Sequence, residues 1–243
     1  MLEIMILRKY VKCTIYDIEN IARKEICYTS PSYFNDPIDT YFHKSSSTEY
    51  TDIKKILTAE ILEKIRISCF FDYEKIHNKS FGNKLTPTEL LMWTYYADSH
   101  KGICLEYDVP NTAFDSIEPT NDYDENRKFL HNVNYIPKLA TDYGQLFRAG
   151  SIYGNYEELM QTVYFAKDEA FANEKEVRAL LYENSSRPYV SKPFDFLKTI
   201  VFGYRCSKDT KYVINCLNKQ VYGNKLKLLE VSNVFTEVDY VER

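Results

Sequence analysis

Short apolar runs recur along the whole chain, and they bound the fold more tightly than any single motif. "EIMILRKYV", "RISCFF", "ICLEYDV", "EVRALLYE", "KTIVFGY", "KLKLLEV" and "VFTEVDYV" all have strand length and strand composition. Segments of helical period lie between some of them. "TIYDIENIARKE" sets Ile15, Ile18 and Ile21 on one stripe, and "TDIKKILTAEILEKI" repeats the pattern from Ile53 to Ile65. Strands and helices do not alternate strictly, so the class is α+β, with mixed or antiparallel sheets and flanking helices. No linker or internal repeat breaks the 243 residues, which read as a single domain over 1–243.

The best-signalled helix begins at Thr86. Thr86 caps it, Pro87 suits its first turn and Glu89 completes a capping box. It is expected to run through "ELLMWTYYADSH" and stop at Gly102 in a left-handed cap. A long helix is expected over "YEELMQTVYFAKDEAFA" and a further one over "KDTKYVINCLNKQ", with "HNVNYI" as a weak strand.

Composition removes several function classes. The net charge of −4 supplies no global basic field for nucleic acid. Six cysteines occur without a CxxC pair, which argues against zinc; set in apolar runs, they suit buried thiols in a reducing cytoplasm. "MLEIMIL" is too short for a membrane span and lacks the charged start of a signal peptide, so a cytoplasmic protein without membrane contact is expected. With seven glycines there is no GxxxxGK, GxGxxG, GxSxG or HExxH. The 22 tyrosines and 14 phenylalanines leave room for an aromatic pocket for a flat ligand.

Three stretches hold chemistry. In "FANEKEVRALLY", a strand would put Glu174, Glu176 and Arg178 on one face and Val177, Ala179 and Leu181 on the other. Convergent carboxylates beside an arginine suit a ribose hydroxyl or a developing cation. A solvated Glu–Arg pair on a strand edge fits the same letters, and E-x-E is common enough that the residues alone favour it. In "FNDPID", Pro37 holds Asp36 extended, so Asn35 and Asp36 either face a ligand or close an Asx turn. On the Thr86 helix, Trp93, Tyr96 and His100 would share a face, as core or as a ligand platform. His100 at the helix end would be stabilised as a cation or donate to a ligand.

The pieces "YTSPSYFNDPID", "ISCF", "LLMWTYYADSHKGICLEYD", "FAKDEAFANEKEVRALL" and "PFDFLKTIVFGY" resemble the bacterial domain-of-unknown-function family 2971, over residues 28–204. In that family a tryptophan usually precedes the glutamate pair; here Phe171 or Ala172 stands there. The order of parts also resembles an ADP-ribosyltransferase. That resemblance implies NAD as substrate, with Glu176 on the nicotinamide ribose 2′-hydroxyl and Glu174 positioning the acceptor, a protein or a nucleic acid. Arg178 stands beside them. Arg8 or Tyr10 and Ser68 would line the dinucleotide site, with Trp93 or Tyr96 stacking nicotinamide and Asn35, Asp36 and His100 completing it. No metal is required. By analogy such enzymes are toxins or phage-defence effectors. Two other readings compete: a non-catalytic ligand-sensing or interaction module, and, ranked last, a magnesium nuclease using Asp36, Asp39, Glu106, Glu174 and Lys167.

Overall fold

The computed structural model describes residues 4–34, 39, 64–77, 84–114, 128–136, 164–233 and 237–240. The fold is α+β, with a mostly antiparallel sheet that includes a parallel pair, and a separate two-stranded ribbon. The chain divides into two compact units: Met1–Ile26, Phe70–Ala113 and Ser191–Arg243 form the first, and Cys27–Cys69 with Phe114–Val190 the second. Residues 53–63 of the helix expected from Ile53 to Ile65 lie outside the described residues, as do Asn35 and Asp36, and Ile65 itself opens a strand instead of closing that helix.

In the first unit β1 (Ile4–Val11) pairs antiparallel with β4 (Ile103–Pro110), which sets Arg8 opposite Glu106 and Tyr10 opposite Cys104. The end of β3 (Ile65–Asp72) lies on the other side of β1, with Arg8 opposite Phe71. β4 also pairs antiparallel with β10 (Leu197–Phe202). β11 (Lys227–Asn233) runs parallel to β10, and β12 (Glu237–Tyr240) closes that edge antiparallel. A parallel pair needs a crossover, and α4 (Lys208–Val221) supplies it. α1 (Ile15–Arg23) begins at a Thr14–Asp17 capping box, and α2 (Tyr73–Ile76) is a single turn capped by Asp72. Tyr10, Phe71, Met92, Trp93, Cys104 and Val201 belong to one buried core cluster.

α3 (Pro87–Tyr95) starts as expected, with Thr86 and Glu89 bonded reciprocally, but ends one turn early. The left-handed residues that follow are Asp98, Ser99 and His100, with φ of 47°, 51° and 69°. Gly102 is therefore not the helix cap. It is fixed by a close approach instead, since a Cβ there would sit 2.0 Å from the Val11 carbonyl oxygen.

In the second unit β8 (Glu176–Tyr182) lies between β5 (Lys128–Asn132) and the first half of β3, whose Ile67 pairs with Thr29 of β2 (Glu25–Thr29). β6 (Asn134–Ile136) and β7 (Ala166–Asp168) form the parallel ribbon, with Tyr135 opposite Lys167. β9 (Tyr189–Pro193) was not foreseen from the sequence. The long helix expected over "YEELMQTVYFAKDEAFA" is corrected: its second half is strand β7 followed by a 3-10 helix, Glu169–Glu174. Asp168 starts that turn by accepting the Ala170 N–H at 3.0 Å.

Candidate functional site

Glu174 and Glu176 do not converge by strand alternation. Glu174 ends the 3-10 helix, Lys175 takes a left-handed conformation (φ 48°, ψ 47°), and Glu176 opens β8. This reversal brings both carboxylates onto Lys167, whose Nζ donates to Glu174 Oε2 at 2.7 Å and to Glu176 Oε2 at 3.0 Å. Asp39 Oδ2 lies 3.8 Å from the same ammonium.

Arg178 occupies the other side. Its Nε donates to Glu176 Oε1 at 2.8 Å, Nη1 to the Tyr164 carbonyl at 2.7 Å, and Nη2 to both oxygens of Asp39 at 2.8 and 2.6 Å. The side chain is wholly buried, and Asp39, Lys167, Glu174 and Glu176 are all nine-tenths buried or more. The solvated strand-edge pair that the residues alone favoured is thus replaced by an internal ionic cluster. β8 is buried along its whole length and has a neighbour on each side, so its charged side chains had to find partners inside.

Among the described residues, three carboxylates face two cations, an excess of one formal negative charge. The groups respond differently. Burial opposes ionisation of Glu176, but Arg178 and Lys167 outweigh it, and its carboxyl is held down at about 2. At Asp39 burial wins over Arg178, with the Glu176 charge adding to it, and the carboxyl is pushed up. Arg178 gains so much from Glu176 and Asp39 that it stays fully cationic despite its burial. Among the described residues no group of three His, Cys, Asp or Glu side chains is arranged to hold an ion.

Sequence reasoning missed Tyr135. Its hydroxyl oxygen accepts the Glu176 backbone N–H at 2.8 Å, and burial pushes the phenol up to about 12. Its place opposite Lys167 depends on the β6–β7 pairing, which no local pattern announces. Asp39 and Lys167 entered only through the nuclease reading, whose Glu106 belongs to the first unit. The Phe171 ring centre lies 4.9 Å from the Lys167 ammonium, and the Phe34 ring centre 5.7 Å from the Arg178 guanidinium carbon. Ser68 is buried in β3, and the thiol of its neighbour Cys69 helps hold the Glu176 charge.

Arg8, Tyr10, Trp93, Tyr96 and His100 belong to the first unit. There Arg8 bridges Glu89 at 2.7 Å and Glu106 at 2.8 Å, and its guanidinium lies 3.7 Å from the Tyr73 ring centre. Glu89 also accepts the Thr86 N–H and lies 3.3 Å from His77 Nδ1. Trp93 is 1% exposed, with Tyr10 against it edge-on and His100 stacked 5.8 Å away, so core is the better description of the aromatic stripe. Tyr96 is half-buried against Phe71. His100 lies beyond α3 rather than at its end, and burial, with nearby Arg205, pushes its pKa down, which disfavours the cationic of its two expected roles.

A family model matches residues 92–179. The family is DUF2971, described as a protein of unknown function. The DUF2971 match is narrower than the 28–204 span of the motifs, but it holds Trp93, Tyr135, Lys167, Glu174, Glu176 and Arg178. No curated protein and no solved structure matches the chain. Among the described residues, no helix is long and apolar enough to cross a membrane, and all six cysteines are free thiols.

Proposed function

We propose that the chain is an NAD-using enzyme with ADP-ribosyltransferase-like chemistry, acting as a transferase or a glycohydrolase. One observation carries the reading: Glu174 and Glu176 are buried together on Lys167 in a cluster whose carboxylates, among the described residues, outnumber its cations by one. Breaking the bond between ribose C1′ and the nicotinamide nitrogen sends the bonding electrons to nicotinamide and leaves positive charge on the ribose. A fixed excess of negative charge in a dry site favours that transition state more than it favours neutral ribose. Water or an acceptor then attacks C1′ and gives up a proton.

In this reading Glu176 faces the nicotinamide ribose and Glu174 the acceptor, a protein or a nucleic acid. Arg178 is a positioning residue, because its guanidinium holds Glu176, Asp39 and the Tyr164 carbonyl. A toxin or phage-defence setting fits such an enzyme by analogy. The test is nicotinamide release from NAD by wild type and Glu176→Gln at matched folded concentration, with and without EDTA. The expected result is a loss of roughly a hundredfold in rate on substitution and no effect of EDTA. A wild type that neither binds nor cleaves NAD ends this reading.

A second reading rests on the saturation of Arg178. A cluster so fully paired also suits a ligand-sensing module without turnover. It predicts NAD binding by calorimetry with no nicotinamide released.

A further inference from the structure

The charged members of the cluster are buried and engaged, which raises the question of what meets a ligand at its edge. Tyr135 is a half-buried polar side chain in contact with the cluster. The parallel ribbon fixes it opposite Lys167, and the Glu176 N–H, 2.8 Å away, fixes its oxygen.

That bond uses a lone pair of the phenol oxygen and leaves the O–H proton unspent. Carboxylates stand close by, yet among the described residues the proton has no acceptor. A phenol pushed up to about 12 keeps that proton at neutral pH. The cluster thus offers carboxylates, which only accept, beside a neutral hydroxyl able to donate. A ligand group satisfied by both must donate and accept at once. A sugar hydroxyl does so, whereas a phosphate would be repelled by the excess negative charge and an ammonium cannot accept from the phenol.

We propose that Tyr135 is the ligand-facing hydrogen-bond donor of this site and that it recognises a hydroxyl of the nicotinamide ribose. The inference rests on the NAD reading and names the group by which the substrate is held. The ribose hydroxyl gives its proton to the carboxylate side and accepts the Tyr135 proton, while the Glu176 N–H holds the phenol in place.

The experiment compares wild type with Tyr135→Phe, which keeps the ring and removes the hydroxyl. Nicotinamide release is measured on NAD and on analogues lacking the 2′- or the 3′-hydroxyl of the nicotinamide ribose, with melting curves to confirm folding. KM for NAD is expected to rise about tenfold in Tyr135→Phe, the scale of one hydrogen bond, with kcat changed less than KM. The wild-type preference for NAD over one of the two analogues is expected to collapse in the variant. Taking the ratio between enzymes cancels the intrinsic effect of removing a hydroxyl. A purely structural Tyr135 would lower the melting temperature and leave the preference intact. If Tyr135→Phe does not fold, Tyr135→His, which retains a ring donor, is expected to preserve the discrimination in part, and its complete loss there overturns the proposal. Wild-type cleavage with unchanged KM and preference in Tyr135→Phe overturns this inference alone. A wild type without NAD binding or cleavage overturns the functional reading and this inference with it.

Discussion

Replacing Arg178 by methionine gives the sharpest test of the buried cluster. The substitution keeps the bulk of an unbranched side chain and removes the guanidinium that holds Asp39, Glu176 and the Tyr164 carbonyl. Among the described residues, Lys167 would then be the cation left beside three buried carboxylates. Breaking a buried pair by deleting one partner costs about 3–5 kcal/mol, whereas an exposed pair is worth under about 1 kcal/mol. The pH dependence adds a second handle. Glu176 titrates at about 2 in the folded chain against an ordinary 4.5, and a depression of that size is worth roughly 3 kcal/mol. In wild type this contribution is complete above about pH 4.5 and disappears as pH falls toward 2. The upward shift of Asp39 has the opposite sign and takes back part of it above its own titration. Without Arg178, burial dominates at both carboxyls, so the variant is relieved by protonation and its stability rises as pH falls from 7 toward 4. Urea unfolding followed by circular dichroism at pH 7 and pH 4.5 measures both effects. A large deficit at pH 7 that shrinks at pH 4.5 is expected. A deficit below about 1 kcal/mol, or one that does not change with pH, would refute the buried-cluster argument.

Other substitutions test the surroundings. Gly102→Ala places a methyl 2.0 Å from the Val11 carbonyl oxygen and 3.1 Å from that of Ala97, both backbone, so a loss of several kcal/mol or failure to fold is expected by urea titration. Thr86→Ala removes one half of the α3 capping box and should cost about 1 kcal/mol, read as a lower melting temperature. Glu89→Gln leaves an acceptor for the Thr86 N–H but uncouples the buried carboxylate from Arg8; the expected cost of about 3 kcal/mol should clearly exceed that of Thr86→Ala. Lys175→Gly frees an exposed left-handed residue from its Cβ penalty and should leave stability equal or higher by up to about 1 kcal/mol, while nicotinamide release stays unchanged.

Much of the secondary structure was legible because it is encoded locally. The alternating and apolar runs became β1, β3, β4, β8, β10, β11 and β12, and the T-P-T-E letters became the capped start of α3. Local readings failed where distant contacts outweighed local propensity. "FAKDEAFA" has helical composition, yet Ala166–Asp168 is a strand because the chain there pairs with β6 and puts Lys167 among carboxylates. "YADSH" continued a helical stripe, yet the helix stops at Tyr95 and a left-handed turn brings His100 back onto Trp93.

The candidate site divides in the same way. The sequence by itself determined that Glu174, Glu176 and Arg178 lie within one five-residue stretch. It also determined the α+β class, because hydrophobic period is a local property. Only the tertiary structure decided that these charges are buried, that Asp39 and Lys167 complete them, and that Tyr135 stands against Glu176. An ion pair between Arg178 and Asp39 spans 139 residues, and no pattern in one dimension records which distant side chain will neutralise a charge. Pairing of that kind is set by the low dielectric of the interior, which makes an uncompensated charge costly and so selects the partner the fold can reach.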